Sequence, residues 1–471
     1  MRTRFLTKLA IIAGLMLGLM IPLSMVKGVV SERSAYRAQT KASIAESWTG
    51  AQKFLGPMLI QPYLEKSTAK VWYENLKEYR DETIVTPGQL IILPDVLKIS
   101  GDIATEERLR GLYAVPVYDA GLAVQGTFSN RALLALLKEK GATIELQAPY
   151  VSLIVSDIRG VVTEPVMNWD GNKLEFVAGS GLEKYGNGMR SMIAGLENAL
   201  AAEYGFDFEL HLHGMETLQF SPVGKSTVVD LRSDWKHPSF IGRYLPGERA
   251  SDPKGFTANW RVSAFSSDME QVIKQCQSGN CHAFVENTFG VSLINPIDIY
   301  QQAERSVKYA VLFITLTFVV FFLFEIMKSL RLHPMQYLLV GASLTVFYLL
   351  LISLSEHISF GLAYLIASLA NAIVIGVYIT AVLQTTRRGV IFTAALSLLY
   401  GMLYVILCSE DNALLMGSLL IFGILAMVMV VTRRLDWYEV SEQMVNHAVV
   451  SAGAPASAVD EKSTESVEVK W

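Results

Sequence analysis

The chain has 471 residues, 51% apolar and only 18% charged, with a mean hydropathy of +0.34. Soluble domains carry about a quarter charged residues, so a wholly soluble protein is excluded. Forty basic against forty-four acidic residues leave a net charge of −4, with no basic field for nucleic acid, and three cysteines are too few for a disulfide-stapled scaffold.

A bilayer core about 30 Å thick is crossed by roughly 20 apolar helical residues. The first such run is Leu9–Val26, preceded by Arg2, Arg4 and Lys8. It exceeds the roughly 7–15 apolar residues of a signal peptide, and Ser24-Met25-Val26-Lys27-Gly28 is a poor cleavage site. These features predict a retained transmembrane helix over 9–30, with residues 1–8 cytoplasmic. Ser31–Thr49 places Glu32, Arg33, Arg37 and Lys41 among Ala and Ile at helical spacing, which extends the helix as a stalk.

Downstream the pattern turns to period two with Gly and Pro punctuation. Leu90–Pro94 and Tyr113–Tyr118 read as strands, and Phe206–His213 alternates strictly, as a half-buried strand must. Helices are expected at Asn130–Lys140 and Met189–Tyr204. Leu97–Gly101 ahead of Val117, and Leu210–Gly214 ahead of Val229, suggest a short internal duplication. The block 31–306 is therefore read as a β-rich, α+β, sandwich-like domain.

Five apolar runs follow, Tyr309–Phe324, Tyr337–Leu354, Phe360–Leu383, Val390–Leu407 and Ala413–Val431, and predict a five-helix transmembrane bundle over 307–432. Lys328 and Arg331, Arg387 and Arg388, and Arg433 and Arg434 fall in alternate loops, while the loops at Ser355–His357 and Ser409–Asn412 carry acids and no Lys or Arg. By the positive-inside rule both termini are cytoplasmic and 31–306 is external. Residues 433–471 lose all periodicity from about Glu442 and predict a largely disordered cytoplasmic tail.

Catalytic signatures are missing. No zinc-protease, nucleophile-elbow or dinucleotide pattern occurs, and Gly224-Lys225-Ser226-Thr227 lacks the leading glycine of a phosphate loop because position 219 is Gln. No enzyme activity, cofactor or metal is expected. Asp207, Glu209, His211 and His213 share one strand face, which either binds a metal or is simply solvated. Cys276 and Cys281 flank Gln-Ser-Gly-Asn. An external, oxidising location would favour a local disulfide, with two reduced thiols or a metal site including His282 as alternatives. Trp235, His237, Phe240, Phe256 and Trp260 form either an external groove for a peptide or glycan or a packed core.

Within the bundle the candidate functional polar residues are Glu325, Glu356, His357 and Asn371. Glu325 can snorkel to an interface beside Lys328. Glu356 and His357 sit at the external mouth, and Asn371, near a helix middle, is expected to bond between helices.

Two runs carry a family resemblance. One is Ser233-Asp234-Trp235, His237–Phe240, Gly242, Leu245-Pro246, Gly255-Phe256, Ala258 and Trp260. The other is Glu304-Arg305, Lys308-Tyr309, Glu325, His333-Pro334, Gln336-Tyr337, Gly341, Phe347–Leu350 and Ser355-Glu356. Both resemble the CreD family of bacterial inner-membrane proteins, nearly from end to end. The tail after about 435 and the Cys276–Cys281 insert look individual to this sequence. The resemblance implies a cell-envelope integrity protein of Gram-negative inner membranes, associated with the Cre two-component system and with envelope-stress, colicin-tolerance and β-lactam-response phenotypes. It implies no catalytic residues. The expectation is a non-enzymatic inner-membrane protein whose external domain senses or binds peptidoglycan or another envelope component, with the lipid bilayer as its other partner. The alternative is a small-molecule or proton-coupled transporter built on the bundle.

Overall fold

The computed structural model describes residues 3–74, 78–111, 113–140, 143–182, 187–193, 203–277, 286–293, 299–327, 332–409 and 413–433. They divide into two compact units, Tyr36–Pro296 and Met1–Ala35 with Ile297–Trp471. The boundary near residue 35 falls inside one continuous helix, α1 Thr3–Ser47, so the apolar run and the charged stalk are a single element.

Tyr36–Pro296 is built on strands. The first ten are β1 Gln52–Tyr73, β2 Glu78–Ile92, β3 Val96–Arg110, β4 Tyr113–Ser129, β5 Ile144–Leu146, β6 Tyr150–Val155, β7 Val166–Trp169, β8 Asn172–Glu175, β9 Val177–Ala178 and β10 Met189–Met192. Then come β11 Glu203–Met215, β12 Thr217–Phe220, β13 Ser226–Ser233, β14 Ser239–Gly242, β15 Glu248–Asp252, β16 Gly255–Ser263 and β17 Phe289–Ser292. Among the described residues three α-helices punctuate them, α2 Arg131–Lys140, α3 Ala264–Ser267 and α4 Met269–Gln277, with a 3-10 turn at Ile158–Gly160.

The strands make two sheets, one ordered β14-β17-β12-β1-β6-β10-β9 with β2 and β5 also on β1, the other β15-β16-β13-β3-β4-β11-β7-β8. Alternation fixes which face is dry. On β11, Phe206, Phe208, Leu210 and Leu212 are buried, while Asp207, Glu209 and His211 face out. Those residues join Leu97, Ile99, Leu122, Val124 and Val229 of their own sheet, and Phe54, Val151, Leu153, Phe220 and Val291 of the other, in one continuous core. Each sheet has a parallel pair at its centre. Residues Gln52–Phe54 of β1 align with Leu218–Phe220 of β12, and Val96–Ile103 of β3 with Ser226–Ser233 of β13.

Two expectations change here. Met189–Met192, expected to open a helix, is strand β10 between β6 and β9. Its alternation puts Met189 and Ser191 inside, and pairing with the fully buried β6 outweighs helical propensity. The suggested duplication does not produce two equivalent halves: β3 and β4 are neighbours, whereas β11 and β13 lie on opposite sides of that hairpin.

The second unit is helical: the N-terminal part of α1, then α5 Ile299–Met327, α6 Pro334–Ser355, α7 Phe360–Leu383, α8 Thr386–Cys408 and α9 Ala413–Thr432. Among the described residues five helices, α1 and α5 to α8, are long and apolar enough to cross a membrane, and α9 contributes a shorter apolar stretch, Leu415–Val430. His333 caps α6, its ring accepting from the Met335 N–H while Gln336 accepts from the His333 N–H. That box, with Pro334 at the first turn, sets where α6 begins.

Candidate functional site

The helical unit is joined by polar contacts at three heights. Glu325, near the end of α5, is 1% exposed, so it does not snorkel. Its carboxylate pairs with Lys8 of α1 and accepts from the Leu332 N–H at 3.2 Å and the Tyr337 hydroxyl at 2.9 Å. Lys8 also donates to the Leu332 carbonyl at 3.3 Å. A carboxylate in an apolar unit is costly unless it is paired and hydrogen-bonded, and this one has a cation and two further donors converging on it. Lys328, the partner expected from sequence, lies outside the described residues.

At the other end of α6, Glu356 receives Arg33 of α1 at 3.6 Å and the Tyr300 hydroxyl of α5 at 3.3 Å. Lys8 and Arg33 are roughly 37 Å apart along α1 at 1.5 Å per residue, comparable to a bilayer of about 40–45 Å with its headgroups. Between them Leu19 of α1 lies over Gly341 of α6, where an added Cβ would stand 2.2 Å from Leu19 Cδ1. The α1 segment is thus held to the bundle by ion pairs at two levels and by a small-residue contact between them.

Asn371 of α7 forms the third polar element. Its amide nitrogen donates to the Ser343 carbonyl at 3.1 Å and to the Tyr400 hydroxyl at 2.8 Å, and its oxygen accepts from the Ser343 hydroxyl. The Tyr364 hydroxyl donates to the Tyr400 carbonyl at 2.7 Å. Asn371 therefore links α6, α7 and α8, the inter-helix role its position predicts. His357 is exposed, its Nδ1 3.1 Å from the Ser353 carbonyl. Between α7 and α8 a groove of about 680 Å³ is lined by Gly376, Thr380, Thr393 and Ser397 among apolar residues.

A model of the CreD family, described as inner membrane protein CreD, matches residues 4–438. The chain belongs to the CreD family. It is 36% identical over 438 residues, 92% of this chain and 94% of the relative, to the inner membrane protein CreD of Escherichia coli (strain K12). The family match takes in the resemblance runs, all of Tyr36–Pro296 and every residue of the Glu325, Glu356 and Asn371 clusters. A CreD protein is an inner-membrane protein by its family description, which names no enzymatic activity, and this chain has helices long and apolar enough to cross a membrane.

The strand-built unit of this CreD chain distributes the remaining candidates. Phe256 and Trp260 are core residues, and half-buried Phe240 meets both edge-on at 5.9 and 5.6 Å. Trp235 is half-buried with its indole N–H on the His237 carbonyl at 3.1 Å, and the His237 side chain is exposed. The rings form a packed corner rather than an open aromatic groove. Beside that corner lies a cleft of about 520 Å³, lined by Phe256, Asp102, Arg232, Asp234, Asp252 and Lys254. Gly255 turns β15 into β16 at its floor with φ +146°, where a Cβ would strike the Ser233 carbonyl. Cys281 and the Cys276 side chain lie outside the described residues. Asp207, Glu209 and His211 are solvated, and no metal-holding cluster occurs among the described residues.

Sequence reasoning missed how this unit grips the end of α1. Arg159 donates to the Glu46 and Ala45 carbonyls at 2.6 and 3.1 Å, and Arg110 to the Ser43 carbonyl at 3.1 Å. Trp48 carries the Arg108 guanidinium 3.5 Å from one ring centroid and the His213 ring stacked at 4.5 Å. Arg159 is oriented by Asp157, whose carboxyl is held below the usual range, chiefly by its bonds from Arg159, against partial burial. The helix-terminus logic was readable, since cations favour a helix C-terminus. The residues come from 110 and 159, far along the chain, and nothing in the pattern pointed to them.

Proposed function

We propose that this CreD-family protein supports cell-envelope integrity without catalysing a reaction. Both termini are then cytoplasmic, 31–306 is periplasmic, and the strand-built domain senses or binds an envelope component, peptidoglycan being one candidate. The observation that carries this reading is the engagement of Glu325 by a cation and two further donors. A transport path needs a polar group able to exchange partners with a passing solute or proton, whereas this carboxylate is buried and held by Lys8, Leu332 and Tyr337. The open, mixed-charge surface lies instead in the strand-built unit, at the cleft by Phe256.

The transporter reading rests on Asn371 and the groove between α7 and α8. Full-length variants in a deletion strain, scored for detergent and colicin sensitivity, separate the two. Charge reversal at Asp234 and Lys254 should abolish protection while Asn371→Leu and Glu356→Gln retain it. Loss at Asn371 and Glu356 with an indifferent cleft would put the transporter ahead.

A further inference from the structure

Helices α7 and α8 hold an unneutralised charge at one end of an apolar groove. No acidic residue occurs between Glu356 and Glu410, so neither helix nor the turn joining them carries one. Just past that turn stand Arg387, exposed, and Arg388, half-buried. Neither has an ion-pair or hydrogen-bond partner among the described residues. The buried carboxylate of the same unit, Glu325, is already held by Lys8. Cations without a counter-charge near a bilayer surface attract anionic headgroups.

The groove of about 680 Å³ starts within a turn of these arginines, at Ala381 of α7 and Val390 of α8, and runs to Ile373 and Ser397. That is about 10–12 Å at 1.5 Å per residue, within one half of a bilayer core about 30 Å thick. Its floor is shallow because the helices meet at glycines: a Cβ on Gly376 would strike Thr393, and one on Gly389 would strike Thr380. Both threonines spend their hydroxyl protons on their own helices, Thr380 on the Gly376 carbonyl at 2.7 Å and Thr393 on the Gly389 carbonyl at 2.9 Å. Apart from Ser397 at the far end, the groove therefore offers carbon rather than free donors. Such a lining suits a hydrocarbon chain, whereas a polar solute would be desolvated there without repayment.

We propose that Arg387, Arg388 and this groove form a site for one anionic phospholipid, its phosphate on the arginines and an acyl chain laid along α7 and α8. The planar guanidinium fork suits a phosphate because it bonds two oxygens at once. This goes beyond the envelope role and does not depend on it.

The test reads lipid bound to the purified full-length chain in mild detergent, by native mass spectrometry. Phosphatidylglycerol should be retained over phosphatidylcholine of the same chains by about tenfold or more, the scale of two cations at a bilayer surface. Excess inorganic phosphate should not displace it, because the chain in the groove contributes to binding. R387Q/R388Q should bind the two lipids alike. A381L/A394L fills the groove from two exposed positions and leaves both arginines, and it should lose phosphatidylglycerol about as far. Both variants should melt like wild type when no lipid is added. Equal retention of the two lipids by wild type, displacement by phosphate, or a preference that survives either double substitution would each overturn the proposal.

Discussion

The two units handle buried charge differently. The strand-built unit keeps its charged side chains on outward faces, as along β11, and buries hydroxyls and amides such as Ser152, Gln52 and Asn287. Among the described residues the single fully buried charge, Glu325, is in the helical unit. A domain bathed in water can sort residues by alternation alone, because burying apolar area drives it together. Helices in lipid gain little from apolar contact and associate through close packing and polar bonds. The lesson is that one carboxylate there does the work that many side chains share in the sheets.

The largest effect should come from the sheets. Trp260 is fully buried against Phe240 and Phe289, and Trp260→Ala should cost about 3–5 kcal/mol. Denaturant melts should show β signal lost while helical signal persists. Next is Lys8→Met, which leaves Glu325 buried without its cation and should cost about 3 kcal/mol. The double variant Lys8→Met with Glu325→Met should recover most of that, and additive losses would break the comparison. Asn371→Leu should cost only about 0.6–1.7 kcal/mol, as inter-helix hydrogen bonds in membranes do, read as a small shift of the same melt.

The smallest effect concerns acid. The Asp157 carboxyl titrates lower in the folded chain than its unfolded value of about 3.9, so its contribution is present above that value and is lost as pH falls through the depressed one. The stability gap between wild type and Asp157→Asn should therefore hold at neutral pH and close below about pH 4. A gap that widened in acid would sink the assignment.

Elements that answer to one local rule were legible. Apolar run length located the helices, and strict alternation located β11. The tip of the β3–β4 hairpin and the end of β2 were visible at Tyr113 and Leu90, and α2 needed only its helical spacing. Asn371 was readable because a lone amide among apolar residues must bond to a neighbour. Glu325 was not, because its partner Lys8 lies 317 positions away and nothing local distinguishes a snorkelling carboxylate from a paired one. The aromatic run at 235–260 left groove and packed core both open, since composition cannot tell which side of a pleat each ring occupies. Met189–Met192 was misread because four residues beside a buried strand take their conformation from it.

The separation of Lys8 from Glu325 has a consequence for biogenesis. At about 5–20 residues per second of synthesis, the carboxylate emerges on the order of 15–60 s after the lysine. During that interval Lys8 has no carboxylate partner, although Lys41 farther along the helix already has Glu216. The central pairings of both sheets wait too, though less long, residue 52 for 218 and residue 96 for 226. Pairing so distant in sequence forms slowly. A chain terminated before residue 325 keeps the contacts at the far end of its first helix but carries a Lys8 that never meets its carboxylate.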